Sequence, residues 1–466
     1  MKTKDFKNYC IYTGILGLQY LVCGSVYISQ MYYLYNFFSK DIVSIIAMRW
    51  NYFAQAFGML IFIFLFLKVP KLAGNRISYA MFIAIGSVMT AISLFSDNGI
   101  LALSFAIAYN IIIGLSSGYT LTMLTAHIPK RKLGVSFASA YAIGSVGTYI
   151  ISVIGNGNFL QTKYVIIVYM LINIINLLLL YFSKNITYAE QEKPNDNTKS
   201  GIRNFQDNIH IYLLILLLLI LVNSISSLGN NFQFSVIVEG QANLPFSRAF
   251  YAISLLCAGL ISLRSRKYLA LTTFASLLFP VVTIILAGDA SLASALLTIA
   301  YLFLGFVAVY RSLTIMDIAA GDNNLLAFAC TGLMLSRLVE ASSTWFSNID
   351  TTNKLLAAII FSVLFALLLF VFFIYIQKAY HSASSYEASK EDKLHKFVQK
   401  YNLTSREKEV FQLLIKGIPN REIAQLMFIS DNTVKFHVKN ILQKTDCPNR
   451  ADLINLYNKQ NSSILF

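Results

Sequence analysis

The residues best suited to chemistry lie together near the end of the chain, on one face of a predicted helix. Ser430 can cap the start of this helix, and Asp431 places an acidic residue in its first turn. Apolar residues recur at i, i+4, i+7 and i+8 from Val434 and define a buried face. The opposite face carries lysines suited to phosphates or guanine acceptors, amides suited to base edges, and an aromatic ring that can touch a thymine methyl group. The residues of this polar face are Asn432, Lys435, Phe436, Lys439 and Gln443.

Two shorter helices are predicted immediately before it. Thr404 and Glu407 have the spacing of a capping box, in which a hydroxyl and a carboxylate bond to the free N–H groups at a helix start. Short apolar stripes follow at 410–414 and 424–427, and residues 417–420 break the chain between them. A solvated, lysine-bearing surface is the alternative interpretation of the polar face. A helix pair joined by a short turn favours insertion of the third helix into the DNA major groove.

Individual residues along this stretch also form a recurring pattern. It comprises Leu403-Thr404, Arg406-Glu407, Glu409-Val410, Gly417, Asn420, Glu422-Ile423-Ala424, Ile429-Ser430, Thr433-Val434-Lys435, His437, Asn440-Ile441, Lys444 and Asn449-Arg450-Ala451. This pattern resembles the LuxR/GerE family of helix-turn-helix domains over residues 401 to about 460, about one-seventh of the chain. Pro419 replaces a residue that is usually small and polar, which suits the helix start that follows it. Thr445 replaces a residue that is usually apolar.

The resemblance implies a four-helix domain that binds double-stranded promoter DNA. The positions at which such domains contact bases and backbone are occupied here by Lys435, Phe436 and Lys439. Phosphate contacts would be made by Thr433 and Arg421. The last helix would supply a dimer face that matches two half-sites on the DNA. The residues predicted for this face are Leu453, Ile454 and Tyr457.

The rest of the chain has the composition of a membrane protein. Of its 466 residues 56% are hydrophobic and 13% are charged, with a mean hydropathy of +0.61, whereas about a quarter of the residues in soluble domains are charged. The net charge of +15 is not concentrated in the tail, since residues 379–466 contain 13 basic and 9 acidic residues. Net charge alone is therefore a poor guide to nucleic-acid binding here.

Twelve apolar stretches approach the length of about 20 residues that a helix needs to cross a bilayer. The first follows Lys2, Lys4 and Lys7 and has no small-residue cleavage site after it, which predicts an uncleaved helix. The predicted fold is all-α: a polytopic membrane bundle of twelve helices in two six-helix halves, plus a small C-terminal four-helix domain. The predicted spans are 11–35, 44–67, 77–95, 100–126, 134–154, 164–182, 211–228, 250–263, 268–287, 292–310, 325–346 and 355–376.

Basic residues between these spans predict the orientation of the chain. The loops that would be inside contain clusters such as Lys130, Arg131 and Lys132, and the loop after the tenth span contains Arg311. The loops that would be outside contain single basic residues beside acidic ones. Because lysine and arginine near span ends are retained on the cytoplasmic side, both termini are predicted to be cytoplasmic, in the cell membrane of a bacterium.

The loop pattern divides the spans into two halves. Basic loops follow the second and fourth spans and again the eighth and tenth, around a polar insert at 183–210. With the loop motif Gly74-Asn75-Arg76, this topology resembles the major facilitator superfamily, although the acidic residue usual in that loop is absent. The predicted domains are a membrane sensor at 1–378, with halves 1–182 and 211–378 and linker 183–210, a connector at 379–400, and a DNA-binding domain at 401–466.

Polar residues inside predicted spans are candidates for sensing a ligand, because polar side chains at that depth are costly and usually face a cavity or a partner. Arg337 and Glu340 are three residues apart, so mutual neutralisation on one helix face is the competing interpretation. Arg49 lies near the outer end of its span and can also snorkel to the surface. The candidates are Arg49, Asn51, Gln55, Asn110, Arg337 and Glu340.

These features favour a membrane-embedded one-component transcription regulator that senses a small molecule and binds promoter DNA. The alternative is a secondary transporter with a regulatory DNA-binding tail, although only Glu340 lies clearly inside a predicted span as the buried carboxylate that proton-coupled carriers commonly need. No spacing of nucleophile, base and orienting group predicts an enzyme. The five cysteines and five histidines form no ligand cluster, so no metal or other cofactor is predicted.

Overall fold

The computed structural model describes residues 3–154, 159–186, 210–227, 244–279, 290–321, 323–346, 354–415 and 417–459. Every regular element within these residues is a helix, which confirms the predicted all-α fold class. The chain divides into two compact units, Met1–Phe373 and Ile374–Phe466. We refer to them as the membrane unit and the tail unit.

The described residues of the first half of the membrane unit form eight α-helices. Two of the long ones begin at asparagine caps, since Asn75 Oδ1 accepts the N–H of Ile77 at 3.0 Å and Asn98 Oδ1 accepts that of Ile100 at 2.9 Å. Such caps satisfy backbone donors that a helix start leaves free. The helices are α1 Thr3–Leu34, α2 Lys40–Ile45, α3 Asn51–Lys68, α4 Pro70–Ala73, α5 Arg76–Phe95, α6 Gly99–His127, α7 Lys130–Val153 and α8 Val165–Tyr181.

The second half follows the polar insert, most of which lies outside the described residues. Short 3₁₀ segments at Asn323–Phe328 and Thr344–Phe346 flank one of its helices. The helices are α9 His210–Ser227, α10 Leu244–Arg264, α11 Arg266–Ser276, α12 Ala290–Ala319, α13 Thr331–Ser343 and α14 Lys354–Lys400. The last of these begins in the membrane unit and continues through the predicted connector into the tail unit.

Nine helices of the described residues are long and apolar enough to cross a membrane. Two shorter apolar helices, Val165–Tyr181 and Ala249–Arg264, lie where the sixth and eighth spans are predicted. The ninth predicted span, 268–287, is described only in part, as α11. Twelve spans therefore stay a prediction, while the multi-pass membrane character of the unit follows from its many apolar helices.

Large apolar side chains cover the outer surface of these helices. Phe64 in α3, Leu178 in α8 and Phe370 in α14 are all exposed. A soluble protein rarely exposes so many large apolar groups, whereas the lipid chains of a bilayer surround them favourably. This surface is therefore the one that faces lipid.

Side-chain hydrogen bonds join neighbouring helices inside the first half. Ser29 Oγ in α1 lies 2.8 Å from the hydroxyl of Tyr169 in α8, and Thr13 of α1 pairs with Ser136 of α7. The backbone groups of both partners are already satisfied within their helices. The side chains are therefore free to fix which helices are neighbours.

The two halves meet along α7 and α10 and along α3 and α13. At one end of the bundle, Arg49 Nε donates to Thr344 Oγ1 at 2.9 Å, and its guanidinium lies 4.9 Å from the ring centroid of Trp345. Elsewhere Arg266 Nη2 donates to the Lys130 carbonyl at 2.8 Å. Three long helices, α3, α5 and α6, separate Arg49 from Lys130 along the chain, so the two contacts lie at opposite ends of the bundle.

The prediction that Arg311 lies in a cytoplasmic loop is wrong. Helix α12 continues to Ala319, and Arg311 is buried within it, only 6% exposed. Its Nη1 donates to Glu340 Oε1 of α13 at 2.9 Å. The charge that ended the apolar window in the sequence is compensated by a carboxylate from another helix, so the helix does not have to end there.

The loop motif Gly74-Asn75-Arg76 has a structural role within the first half. Arg76 Nη1 donates to the Tyr181 carbonyl at 2.9 Å, and the Ile186 N–H donates to the Gly74 carbonyl at 2.9 Å. Asn75, near the position of the missing acidic residue, caps α5. These contacts attach the start of α5 to the end of α8.

The tail unit has its own hydrophobic core. Phe397 stacks on Phe411 with a centroid distance of 4.8 Å, and Tyr457 lies edge-on to both rings at 5.3 and 5.4 Å. Gly417 occupies the turn after the first of its short helices with φ +81°, a backbone conformation that favours glycine. The helices are α15 Ser405–Leu414, α16 Asn420–Met427, α17 Asp431–Lys444 and α18 Arg450–Lys459.

Candidate functional sites

The polar face predicted in the tail unit is the exposed side of α17. Ser430 Oγ accepts the N–H of Thr433 at 3.1 Å and starts the helix, while Val434 and Ile441 are fully buried in the core. These two anchors leave the opposite side of the helix in solvent. The exposed residues on that side are Asn432, Lys435, Phe436, Lys439 and Gln443.

The two lysines of this face differ in their surroundings. Lys435 Nζ pairs with Asp431 Oδ2 at 2.7 Å, one helical turn away. Lys439 has no ion-pair partner within the described part of the chain. Both side chains are exposed, so both can reach phosphate oxygens, but Lys435 must share its charge with Asp431.

Two further predicted DNA contacts flank the face. Arg421 is exposed on α16, the helix that precedes α17. Thr433 is half-buried, and its hydroxyl lies 2.7 Å from that of Ser430. Both lie near a helix start, where backbone N–H groups and the helix dipole also favour an anion such as a DNA phosphate.

A buried carboxylate fixes α17 against α15. Glu407 and Thr404 form the predicted capping box, with Thr404 N–H to Glu407 Oε2 at 2.8 Å and Glu407 N–H to Thr404 Oγ1 at 3.3 Å. Lys444 at the end of α17 donates to the same carboxylate at 2.7 Å. Burial acts to raise the pKa of Glu407, but the hydrogen bonds from Lys444 and Thr404 outweigh it and hold the pKa below its ordinary value.

Other residues of the family-like pattern support the fold and do not face outward. Arg450 Nη2 donates to the carbonyls of Leu414 at 3.0 Å and Ile418 at 2.9 Å, which closes the end of α15. Thr445, which departs from the pattern, is buried and donates to the Ile441 carbonyl at 2.8 Å. Because its hydroxyl is satisfied within the helix, it fits an otherwise apolar position.

Two residues predicted for the dimer face are part of the core. Leu453 is fully buried and Tyr457 is packed against Phe397 and Phe411. Side chains that fill the core of their own domain leave little surface for a second copy, and the dimer face stays a prediction. Ile454 is half-buried.

Phe428 was not among the predicted site residues. It ends α16 in the left-handed region with φ 56° and ψ 41°, and it is 95% exposed just before the cap of α17. The sequence does contain a signal for this residue, because a large apolar side chain directly after Met427 falls at the tight turn of the helix pair. A sequence pattern shows the apolar residue but not that the turn directs it outward.

In the membrane unit, three of the predicted sensing residues already bond to protein groups. Gln55 Nε2 donates to Asn110 Oδ1 at 2.7 Å, and Asn110 Nδ2 donates to the Ala106 carbonyl at 2.9 Å, which joins α3 to α6. Arg49 makes the contact between the halves described above. Asn51 is buried, and no described residue bonds to its Oδ1.

The last two candidates, Arg337 and Glu340, belong to a larger buried cluster. Arg337 Nη1 donates to Glu340 Oε2 at 2.9 Å, as their spacing predicts. Glu340 Oε1 also accepts from Arg311 Nη1 at 2.9 Å and from Ser336 Oγ at 2.7 Å. Arg311 was not among the predicted sensing residues, because an interaction between two helices leaves no trace in residue spacing.

Comparison with known proteins agrees with the helices of the tail unit. Residues 401–457 match the model of the bacterial regulatory proteins of the luxR family. The transcriptional regulatory protein DegU of Brevibacillus brevis is 48% identical over 52 residues, which are 11% of this chain and 22% of that protein. The spore germination protein GerE of Bacillus subtilis is 41% identical over 58 residues, 12% of this chain and 78% of that protein.

The nitrate/nitrite response regulator protein NarL of Escherichia coli is 40% identical over 50 residues, which are 11% of this chain and 23% of that protein. The chain thus spans about a quarter or less of DegU and NarL. These similarities describe the tail unit alone.

Solved structures resemble the membrane unit. The E. coli fucose:proton symporter FucP superposes with a TM-score of 0.54 at 14% identity, covering 78% of this chain and 98% of that protein. The nucleoside transporter NupG superposes with a TM-score of 0.51 at 14% identity, covering 79% of this chain and 99% of that protein. At this identity the similarity shows the fold alone. The chain therefore combines a membrane unit of the major facilitator fold with a helix-turn-helix domain that belongs to the LuxR family.

Proposed function

We propose that this protein is a membrane-embedded one-component transcription regulator. The membrane unit senses a small molecule, and the tail binds promoter DNA at the cytoplasmic face of a bacterial cell membrane. The observation that carries the proposal is that a single chain joins a transporter-like fold to a LuxR-family domain. The polar face of α17 in that domain is exposed. The protein needs neither a cofactor nor a catalytic site for this role.

Binding of a ligand is coupled to DNA binding through the arrangement of the two halves. The halves are joined by polar contacts at both ends, Arg49 with Thr344 and Arg266 with Lys130. A ligand that favours one arrangement of the halves shifts the population of the whole unit toward it. The arrangement then determines how readily the tail binds its promoter.

DNA binding takes place through α17 in a dimer that matches two half-sites. Lys435, Phe436 and Lys439 contact bases and backbone, Asn432 and Gln443 contact base edges, and Arg421 and Thr433 contact phosphates. Of the residues predicted for the dimer face, Ile454 is the one that is not fully enclosed in the core. Sedimentation of the tail with a two-half-site duplex, compared with an Ile454→Asp variant, tests this contact.

The regulator role is tested with a transcriptional reporter for the genes beside its own. Candidate metabolites are screened against the full chain and against a Lys435→Ala/Lys439→Ala double variant. We expect the response to disappear in the double variant, because two phosphate or base contacts are lost. Arg406→Ala is the matched control, since it removes an exposed charge from α15 and leaves α17 intact. An equal response in the double variant would exclude the tail as the output.

The second candidate is a secondary transporter whose tail regulates its own production. The fold of the membrane unit favours it, because the solved structures with that fold include a symporter and a nucleoside transporter. Against proton coupling, the buried carboxylate of Glu340 is already bonded to two arginines and a serine. Flux into proteoliposomes separates the candidates: binding without flux supports a sensor, and accumulation of the ligand supports a carrier.

A further inference from the structure

One buried group of charges in the described part of the membrane unit consists of Arg311, Arg337 and Glu340, which we call the arginine cluster. The three side chains are only 7%, 17% and 8% exposed. Two guanidinium groups face one carboxylate, so these three residues together carry one uncompensated positive charge. A buried charge without a partner is strongly unfavourable, and proteins usually neutralise it.

The carboxylate cannot satisfy both arginines. Glu340 accepts three hydrogen bonds, one from each guanidinium and one from Ser336. The Nε atoms of Arg311 and Arg337 are buried and have no hydrogen-bond partner within the described part of the chain, and the weak bond of Arg311 Nη1 to Asn223 Oδ1 is 3.4 Å long. Arginine presents its N–H groups as a planar fork that fits the oxygens of a carboxylate or a phosphate. The unused donors therefore fit a second anion.

The cluster lies between the two halves. Arg337 of the second half lies over the ring of Tyr52 in α3 of the first half, 4.4 Å from its centroid. Tyr20 of α1 lies near enough to Arg311 and Arg337 for their charges to act on its hydroxyl, which is buried and has no hydrogen-bond partner among the described residues. An anion bound to the arginines would thus meet residues from both halves.

Tyrosine rings provide an apolar wall beside these donors. Tyr20 stacks on Tyr141 at a centroid distance of 4.5 Å, and Tyr141 contacts Tyr251 of the second half at 5.2 Å. Stacked rings of this kind accept an apolar or flat group of a ligand. An inorganic ion has no apolar part that could pack against this wall.

From these observations we infer that the arginine cluster is the binding site of a small organic anion, which carries a carboxylate or phosphate group for the arginines and an apolar part for the tyrosines. The inference deepens the proposed sensing role and rests on it for its biological meaning. An anion would supply the missing negative charge between the halves, so its binding would favour the arrangement in which the halves close around it.

The test uses the purified full chain in detergent, with thermal unfolding followed by the fluorescence of Trp50 and Trp345. The probes are benzoate and acetate, each compared with its neutral amide, and inorganic phosphate, all at equal ionic strength in chloride. We expect benzoate to raise the unfolding temperature more than acetate or phosphate, because a ligand that binds only the folded state stabilises it. We expect benzamide and acetamide to have no effect.

Variants that remove a positive or a negative charge from the arginine cluster should change the affinity for benzoate in opposite directions. Arg311→Gln or Arg337→Gln removes the excess positive charge, so benzoate affinity should fall about tenfold or more. Glu340→Gln removes the competing carboxylate, so benzoate affinity should rise. Arg76→Gln is the matched control, because Arg76 bonds to the Tyr181 and Ser183 carbonyls within the first half. If one arginine variant fails to fold, the other arginine variant and Glu340→Gln still test whether the arginine cluster binds the anion.

Several results would overturn the inference: equal stabilisation by benzamide, stabilisation by phosphate alone, no stabilisation by any of the anions, or full binding in the arginine variants. The reporter separates this inference from the proposed function. If anions bind but transcription does not respond, the arginine cluster is an anion site and the proposed sensing role is wrong. If transcription responds to neutral compounds alone, the protein is a sensor and the inferred anion site is wrong.

Discussion

Phe428 holds a backbone conformation that a bulky residue rarely adopts. Its φ of 56° places the Cβ close to the following carbonyl oxygen, and its ring gains nothing from burial because it is 95% exposed. Phe428→Asn should therefore stabilise the tail unit by about 1 kcal/mol, since asparagine tolerates this conformation better. Urea unfolding of residues 374–466 measures the change.

Leu426→Asn is the control for this prediction. Leu426 is also exposed, but it lies within the right-handed helix α16, where asparagine brings no conformational relief. If both variants are more stable than the parent, the cause is the lower hydrophobicity of the surface and not relief of the backbone conformation. If Phe428→Asn weakens DNA binding while it stabilises the fold, the ring is a contact at the DNA surface.

The ion pair between Asp431 and Lys435 predicts a second effect of a single residue. Asp431→Asn removes a negative charge beside the polar face of α17 and breaks the ion pair of Lys435. The affinity for DNA should therefore rise, and the salt dependence of binding should steepen by about one unit. Lys439→Ala should do the reverse, since Lys439 has no described ion-pair partner. Binding to a fluorescent duplex at several salt concentrations gives both slopes. Identical slopes in all three proteins would show that α17 does not contact phosphates.

At the scale of helices, Glu407 links stability to pH. Its pKa in the folded tail is lower than its ordinary value of 4.5. The bonds to Lys444 and Thr404 therefore contribute stability above the unfolded pKa, and this contribution is lost as the pH falls through the folded pKa. Glu407→Gln should cost about 1–3 kcal/mol at neutral pH and much less in acid.

Urea unfolding of the tail unit from pH 3 to pH 7 tests this expectation. Glu409→Gln is the control, since Glu409 pairs with Arg406 on the exposed surface. A difference between Glu407→Gln and the parent that stays constant with pH would mean that the carboxylate is not the cause.

The close approach of α12 and α13 is fixed by a glycine. A Cβ at Gly332 would overlap the carbonyl group of Arg311. Gly332→Ala should push the two helices apart, lower the stability by about 1–3 kcal/mol and separate Arg311 from Glu340. Gly321→Ala is the control, because its Cβ would make only ordinary contacts. Thermal unfolding of the full chain measures both.

These elements also show what a single sequence can and cannot predict. The capping box of Thr404 and Glu407 was predictable, because all its partners lie within four residues. Arg311 and Glu340 are 29 residues apart, and their pairing depends on which helices are neighbours. The apolar face of α18 was visible in the sequence, but periodicity alone does not say whether Leu453 and Tyr457 face a core or a partner chain.

At the scale of the whole molecule, the two contacts between the halves predict opposite effects on regulation. Arg49→Gln weakens one end of the bundle, and Arg266→Gln weakens the other. Each change should favour the arrangement that is open at the weakened end, so the two variants should shift the reporter activity without ligand in opposite directions. Arg76→Gln should leave it unchanged, since Arg76 bonds within one half.

Reporter activity is compared at equal protein levels in membranes. Shifts in the same direction for both arginine variants would contradict a mechanism based on two alternating arrangements. They would instead indicate that either change simply destabilises the membrane unit, which thermal unfolding of the same proteins would detect.

The self-contained core of the tail has a consequence for how such proteins can be rebuilt. The aromatic group of Phe397, Phe411 and Tyr457 and the bridge from Lys444 to Glu407 both lie within the last 70 residues. Exchanging this segment for its counterpart from a relative would therefore carry its own folding information with it. The tail unit and the membrane unit could therefore be exchanged between related genes as separate segments.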